Sequence, residues 1–294
     1  MQENNLKERI LKTVKRIEGF RDGHYYYDVL RERAEYIEGE FISCGFDVEK
    51  DEFTFGKRPY WNVVAKCPGS ETSRESLLIG AHYDAVMGSP GADDNASGVS
   101  VMLEIARTLG PQKDLQFVAF TLEEPQPNSV KFLIGSKHFV KKIKSLGQRY
   151  KAVFILESVG YSSDKENSQL LPPLVRAPSV GNFIGVVGNG KSKVIMSSLK
   201  EMAHQRIPQL NIVTYRAPIR GFLTPETRFS DHAPFWDAGF PAVMITDTAM
   251  YRNPHYHTRS DTSETLCPEF MANVAELLIH TVSDGIGKGA SREQ

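Results

Sequence analysis

Apolar and polar residues alternate along the chain in blocks that predict an α/β protein. Four runs are apolar at nearly every position, as in strands buried on both faces, and they cover residues 76–81, 114–123, 150–157 and 241–246. Shorter or alternating patterns predict further strands over 46–55, 61–67, 183–187 and 211–216. Apolar residues at helical spacing predict helices over 5–19, 24–45, 99–109, 135–146, 192–206, 231–238 and 268–287.

The order of these elements defines the expected architecture. Strand, helix, strand, helix, strand over residues 76–157 is typical of parallel strands joined by right-handed crossovers. The alternating strands before residue 68 favour antiparallel pairing at one edge. We therefore expect a three-layer α/β/α fold with a mixed, mostly parallel sheet. Because neither an internal repeat nor a linker is apparent, residues 1–294 are interpreted as one domain.

Composition narrows the possible partners. The net charge of −1 gives no reason to expect binding to nucleic acid or to an anionic membrane. Cys44, Cys67 and Cys267 lie far apart without a CxxC motif, which argues against a disulfide framework or a thiolate metal site. The sequence contains neither an apolar leader nor a membrane-length apolar run, so a cytoplasmic protein is expected, or a secreted one if a leader has been removed. The oligomeric state stays open.

Side chains that bind metals follow the predicted buried strands. Ligands of open α/β sheets bind beyond the carboxyl ends of the strands, so groups at these positions can converge. The candidates are His82, Asp94, Glu123, Glu124, Glu157 and His257.

Each candidate alone has an ordinary structural explanation. Asp94 precedes a helix, where a carboxylate caps the first turn or stabilises the helix dipole. The pair Glu123–Glu124 precedes a proline and is compatible with a solvated loop. The order and placement of the whole set instead indicate a metal site.

The donor types suggest which metal binds and how. Imidazole and carboxylate donors without thiolate suit zinc, and manganese or cobalt is also compatible. Two histidines and three carboxylates exceed one tetrahedral zinc but suit two ions that share a carboxylate. Asp84, two residues after His82, is placed to fix the imidazole tautomer. One of the paired glutamates then remains free as a base.

The motifs resemble those of the co-catalytic di-zinc aminopeptidases of metallopeptidase family twenty-eight, which also contains glutamate carboxypeptidases and glutaminyl cyclases. The resemblance covers roughly residues 60–280 and rests on the segments 80–84, 90–98, 122–124, 156–157 and 256–262. It implies a zinc-exopeptidase fold of the phosphorylase/hydrolase-like type. His255 matches no ligand position in the family pattern.

The resemblance implies a role for each candidate. Asp94 bridges two zinc ions, His82 and Glu157 complete one site, and Glu124 and His257 complete the other. Glu123 is implied as the general base that accepts a proton from the attacking water and passes it to the leaving amine. A cis peptide bond is implied between Asp94 and Asn95. Glu157 stands where well-known members often have aspartate, which leaves the geometry of its metal site in question.

The implied activity is removal of the N-terminal residue from peptides with a free N-terminus. Two alternatives stay open: glutaminyl cyclisation, an acyl transfer with one zinc, and a non-catalytic binding domain of the same fold. The intact run from Asp93 to Gly98 favours a peptidase over a cyclase. A glutamate carboxypeptidase is disfavoured, because those relatives carry large extra domains.

Several secondary expectations concern the surroundings of the site. Ser230 or Asp231 is expected to cap a helix, with Asp231 or His232 as alternative contributors to the site. Tyr251, in the same loop as His257, is a candidate donor to the developing oxyanion. The irregular segments 158–182 and 217–230 are expected to form the side-chain pocket. Leu171, Phe222 and Leu223 are its candidate apolar walls, and they hint at hydrophobic N-terminal residues.

Overall fold

Eight strands form one mixed sheet in a computed structural model that describes residues 2–70, 76–127, 129–171 and 175–286. The strands are β1 (Asp47–Phe55), β2 (Arg58–Lys66), β3 (Leu77–His82), β4 (Leu115–Phe120), β5 (Ala152–Glu157), β6 (Phe183–Gly188), β7 (Asn211–Arg216) and β8 (Ala242–Thr246). The helices are α1 (Gln2–Ile17), α2 (Tyr27–Ser43), α3 (Gly98–Leu109), α4 (Ile134–Ser145), α5 (Lys193–Arg206), α6 (His232–Ala238) and α7 (Pro268–Asp284). Every predicted strand and helix is present, with small shifts at the ends.

The sheet has a parallel centre flanked by antiparallel pairs. Its strand order is β1-β2-β4-β3-β5-β8-β6-β7. The four central strands β4, β3, β5 and β8 are mutually parallel. Antiparallel pairing appears between β1 and β2, β2 and β4, and β8 and β6. The mixed, mostly parallel sheet predicted from the apolar runs is therefore confirmed.

Helices cover both faces of the sheet and complete three layers. Along β3, Leu77, Ile79 and Ala81 pack into one apolar cluster with side chains of α1, α2, α3, α5 and α7. Leu78 points to the opposite face, where α4 and α6 contribute the second cluster. Residues on alternate sides of a strand thus serve two cores, because successive side chains point to opposite faces.

One element boundary differs from the sequence-based prediction in a way that affects the site. Strand β4 ends at Phe120 instead of residue 123, because Leu122 adopts a left-handed backbone with φ of 51°. Glu123 and Glu124 consequently lie in the loop after the strand. Helix α7 ends at Asp284, and its predicted end at residue 287 lies outside the described residues. None of the helices in the described part of the chain is long and apolar enough to cross a membrane.

Candidate metal centre

The carboxyl ends of the four central strands bring the predicted ligands to one edge of the sheet. His82 is the last residue of β3, and Glu157 is the last residue of β5. The pair Glu123–Glu124 follows β4, and His257 lies in the loop after β8. All four strands are adjacent and parallel, so their ends meet at one place.

The donor atoms form two clusters, and within each cluster they lie within 4.8 Å of one another. In the first, His82 Nε2 is 3.4 Å from Glu157 Oε1 and 4.0 Å from Glu123 Oε2. In the second, His257 Nε2 is 3.3 Å from Glu124 Oε1. Each of the two clusters therefore combines one imidazole with carboxylates.

Asp94 belongs to the second cluster and also contacts the first. Its Oδ1 atom is 3.2 Å from His82 Nε2, and its Oδ2 atom is 3.0 Å from His257 Nε2. One oxygen thus faces each histidine, which is the arrangement that a bridging carboxylate needs.

Asp84 ties the backbone of the β4 loop to His82. Its Oδ1 accepts a hydrogen bond from the amide of Glu123 at 3.1 Å, and its Oδ2 accepts one from Glu124 at 3.2 Å. Oδ1 also faces His82 Nδ1 at 3.5 Å. Because Asp84 is completely buried, its carboxylate holds these three groups with little competition from water.

The turn that carries Asp94 is fixed by backbone contacts from distant parts of the chain. Ala92–Ser97 is a kinked helical turn, and the expected cis peptide bond between Asp94 and Asn95 is confirmed. Asp261 accepts hydrogen bonds from the amides of Asp93 and Asp94 at 2.9 and 3.2 Å. Asn95 donates to the carbonyl of Leu156 at 2.8 Å, which links this turn to the end of β5.

Asp93 supports the turn and does not face the ligand clusters. Its Oδ1 accepts a hydrogen bond from the amide of Gly160 at 2.8 Å, and its Oδ2 accepts one from Asn253 at 2.6 Å. His255 also lies apart from the clusters, with its Nδ1 2.8 Å from Ser260 Oγ. Of the two adjacent aspartates, only Asp94 belongs to the site.

The interpretation of Ser230 or Asp231 as a helix cap is wrong. Ser230 instead donates to Glu157 Oε2 at 2.6 Å and so orients this carboxylate. Asp231 occupies the position before α6 and is completely buried, but among the described residues its carboxylate makes no hydrogen bond. His232 lies 2.7 Å from the carbonyl of Thr227 through its Nε2, and burial lowers its pKa to about 3. Of these three side chains, Ser230 contacts a predicted ligand.

Crowded carboxylates dominate the electrostatics of the site. Burial and the nearby charge of Asp94 raise the pKa of Glu124 to about 7. Burial also raises the pKa of Glu123 well above its usual value, although His82 opposes the shift. The pKa of Glu157 is raised mainly by burial as well. Such a concentration of buried acids needs positive charge nearby to remain ionised at neutral pH.

The donor atoms fit a metal centre. Asp94 Oδ1, Glu124 Oε1 and His257 Nε2 are buried and have no hydrogen-bond partner among the described residues, although they lie close together. Buried polar atoms are costly unless something satisfies them. Cations held by these donors would satisfy the buried atoms and neutralise the carboxylates.

A second tyrosine, Tyr256, directly contacts one of the predicted ligands. The ring of Tyr256 stacks on His257, with the two ring centres 3.8 Å apart. Burial raises the pKa of Tyr256, and the charges of Asp94 and Glu124 add to this shift. The charge that affects the pKa of Tyr251, after burial, is that of Glu226. The only sequence signal for Tyr256 was its position beside His257.

The predicted pocket walls are divided between two cavities. Leu171 and Tyr251 line an apolar pocket that also contacts Glu157. Phe222 lines a neighbouring cavity together with Arg228. Leu223 is 66% exposed and lines neither cavity. Of the three proposed walls, only Leu171 adjoins the site.

Arg21 is a structural residue that sequence reasoning missed. Its guanidinium is completely buried and donates to the carbonyls of Tyr83 and Gly91, each at 2.8 Å, and to that of Pro90. These contacts shape the loop between β3 and the turn that carries Asp94. No local pattern in the sequence marks an arginine for this long-range role.

Comparison with known proteins agrees with this geometry. The model of Peptidase family M28 matches residues 62–282. The chain is 34% identical to an uncharacterised Escherichia coli protein, YfbL, over 86% of this chain and 79% of that protein. It is 26% identical to a probable leucine aminopeptidase of Arthroderma otae, over 94% of this chain and 72% of the relative.

The fold of this chain is also similar to that of a solved structure. The glutaminyl cyclase of Macrostomum lignano superposes with a TM-score of 0.72 at 17% identity, covering 96% of this chain and 91% of that one. At this identity the likeness concerns the fold alone. The family match spans β3, β4, β5 and the loop after β8, and therefore includes every ligand candidate. The chain belongs to peptidase family M28.

Proposed function

We propose that this protein is a zinc-dependent aminopeptidase that hydrolyses the N-terminal residue from peptides with a free N-terminus. The observation that carries the proposal is the position of Asp94, whose two oxygens face His82 and His257 at 3.2 and 3.0 Å. A shared carboxylate between two buried donor clusters suits a pair of cations. The imidazole and carboxylate donors of both clusters suit zinc, and manganese or cobalt is also compatible.

The proposed ligands divide between two metal positions. His82 and Glu157 would hold one ion, Glu124 and His257 would hold the other, and Asp94 would be shared by both. When bound, the ions supply Lewis-acid activation of the attacking water and of the scissile carbonyl. Ser230 keeps one oxygen of Glu157 occupied, which leaves Oε1 directed at the first cluster.

Glu123 is proposed as the general base. Its carboxylate is the most distant group from His82 Nε2 within the first cluster, at 4.0 Å. The amide hydrogen bond to Asp84 fixes the backbone of Glu123, and burial raises its pKa, which suits a group that accepts and returns a proton. Glu123 accepts a proton from the attacking water and donates it to the leaving amine.

The surrounding side chains complete the proposed mechanism. The hydroxyl of Tyr256 is the preferred candidate for a hydrogen bond to the developing oxyanion, because Tyr256 is next to His257 and close to the ligand carboxylates. Carboxylates of the same centre attract the α-ammonium group of the substrate. This attraction confines cleavage to the N-terminal end of a peptide.

The proposal is tested by metal content and by turnover in parallel. The full chain is loaded with zinc, its bound zinc is measured after gel filtration, and hydrolysis of a panel of aminoacyl-anilides is followed with and without a chelator. Glu123→Gln should lower kcat by about 10²- to 10⁴-fold. The exposed variant Glu52→Gln, which makes the same change in charge, is the matched control. Full activity of Glu123→Gln, or no anilide hydrolysis by zinc-loaded wild type, would contradict the proposal.

Glutaminyl cyclisation is the second candidate, favoured by the likeness in fold to a cyclase. A cyclase of this type is expected to bind one zinc and to release ammonia from N-terminal glutaminyl peptides. Bound zinc near one equivalent together with ammonia release would support this candidate. Two bound zinc ions and amino-acid release would support the aminopeptidase. No bound zinc and neither reaction would instead indicate a non-catalytic binding domain.

A further inference from the structure

An apolar pocket opens directly beside the proposed metal centre. Glu157 lines it, and its apolar walls come from four different parts of the chain. Phe183 and Met244 come from β6 and β8, Leu171 comes from the long loop after β5, and Phe229 comes from the segment before α6. A side chain on the N-terminal residue of a bound peptide would enter this pocket.

One carboxylate interrupts the apolar walls. Glu226 lies in a short helical turn, Pro225–Arg228, and contributes to the pocket lining. Tyr251 is another lining residue. Burial is the main cause of its raised pKa, and the negative charge of Glu226 adds to the shift. Among the described residues, the carboxylate of Glu226 has neither a hydrogen bond nor an ion pair.

The two charged side chains that line the pocket in the described part of the chain, those of Glu157 and Glu226, are both acidic. Two arginines adjoin the lining but are held by other partners: Arg252 donates to Gln169 Oε1 and to the carbonyl of Phe183, and Arg228 pairs with Asp237. Glu157 belongs to the proposed metal centre, so Glu226 is the remaining uncompensated charge. An acidic substrate side chain would be repelled here, whereas a cationic one would gain a partner.

The shape of the lining suits a long side chain with a charged end. Apolar walls accommodate the methylene stem of lysine or arginine, as such stems commonly pack on apolar surface while the charged head stays hydrated. The aromatic rings of Phe229 and Tyr251 offer additional faces to a cation. A purely aliphatic side chain would use the same walls but leave Glu226 unpaired.

We propose that Glu226 makes this pocket select peptides with an N-terminal lysine or arginine, the alkyl stem packing on the apolar walls and the cation pairing with the Glu226 carboxylate. This inference rests on the proposed aminopeptidase function and adds the substrate class. Glu226 acts on binding and has no part in proton transfer. Its effect is therefore a change in relative specificity between cationic and neutral side chains.

The test compares lysine with norleucine, which has the same four-carbon stem but lacks the ammonium group. The ratio of kcat/KM for the lysyl-anilide to that for the norleucyl-anilide should exceed one in the wild type. Glu226→Gln should lower this ratio by about fivefold or more, the upper range for a partly exposed ion pair. Glu52→Gln should leave the ratio unchanged, and Glu226→Lys should increase the relative rate on a glutamyl-anilide. High salt should lower the ratio in the wild type more than in Glu226→Gln.

A binding measurement separates this inference from the proposed activity. Titration calorimetry with L-lysinol and L-norleucinol, which keep the α-ammonium group and the side chain but have no scissile amide, reports the same selectivity without turnover. If no anilide is hydrolysed but lysinol binds more tightly than norleucinol in a Glu226-dependent manner, the pocket assignment stands and the proposed peptidase activity fails. If anilides are hydrolysed with equal lysine-to-norleucine ratios in the wild type and in Glu226→Gln, the role of Glu226 is refuted and the peptidase proposal stands.

Discussion

Replacing Asp84 by asparagine tests how the candidate centre is held together. The wild-type carboxylate accepts from two backbone amides, those of Glu123 and Glu124, and faces His82 Nδ1 at 3.5 Å. Asparagine has nearly the same shape but only one acceptor oxygen. Its NH₂ group must therefore face either the amide of Glu124, or the amide of Glu123 together with the imidazole of His82.

The expected loss can be worked out from these contacts. A hydrogen bond to a charged acceptor contributes about 1.5–3 kcal/mol, and a buried donor left without a partner costs about 1–3 kcal/mol. Removing a buried negative charge offsets part of this loss. We therefore expect Asp84→Asn to lower the free energy of unfolding by about 2–4 kcal/mol. Since His82 also loses the carboxylate that orients its ring, zinc affinity should fall by about 10- to 100-fold.

Two measurements check this expectation. Urea denaturation of the zinc-free protein gives the change in unfolding free energy, and competition with a chromophoric chelator gives the zinc affinity. Asp47→Asn is the control, because it makes the same substitution at an exposed position on β1. If Asp84→Asn matched this control in both measurements, the carboxylate would not organise the centre and the reasoning from its three contacts would be wrong.

Two further substitutions test the scaffold around the centre. Arg21→Met removes the buried donors to the loop after β3, and urea denaturation should show a loss of at least about 3 kcal/mol; a smaller loss would mean that water replaces the guanidinium. A Cβ at Gly135 would overlap the carbonyl oxygen of Thr121, so Gly135→Ala should cost about 1–3 kcal/mol in the same assay. Gly39→Ala, in α2 with no atom near its added Cβ, should instead stabilise by about 0.5–1 kcal/mol, and equal effects of the two alanines would contradict the packing argument.

The sheet could be predicted, and so could the convergence of the proposed metal ligands at one of its edges, because both depend on local sequence patterns. Apolar runs such as Leu77–Ala81 mark strands buried on both faces, and parallel strands share one ligand-binding edge. His82 and Glu157 stand at the ends of such runs, so their proximity followed from the expected topology. The cis bond at Asp94–Asn95 was expected from the family resemblance alone and could not be read from periodicity.

The supporting residues could not be predicted because their partners are distant in the sequence. Ser230 contacts a carboxylate 73 positions away, and Asp261 binds amides 167 and 168 positions away. A serine or aspartate before a helix ordinarily suggests a cap, which led to the wrong interpretation of the start of α6. Arg21 lies between two predicted helices, where the sequence alone does not distinguish it from a solvent-exposed residue of a linker. Only the folded chain shows that these side chains converge on the site.

The backbone around the centre conflicts with local preference at three positions. Leu122, Ser158 and His257 all have positive φ, at 51°, 47° and 57°, although none is glycine. Each such conformation costs about 1–3 kcal/mol and persists only where surrounding contacts impose it. The carbonyl of Leu122 accepts from the amide of Ile134 at 2.8 Å, and the amide of Ser158 donates to Asn95 at 3.0 Å. Leu122 and Ser158 directly adjoin proposed site residues and His257 is itself one, so the strain lies where the chain must turn its donors toward the centre.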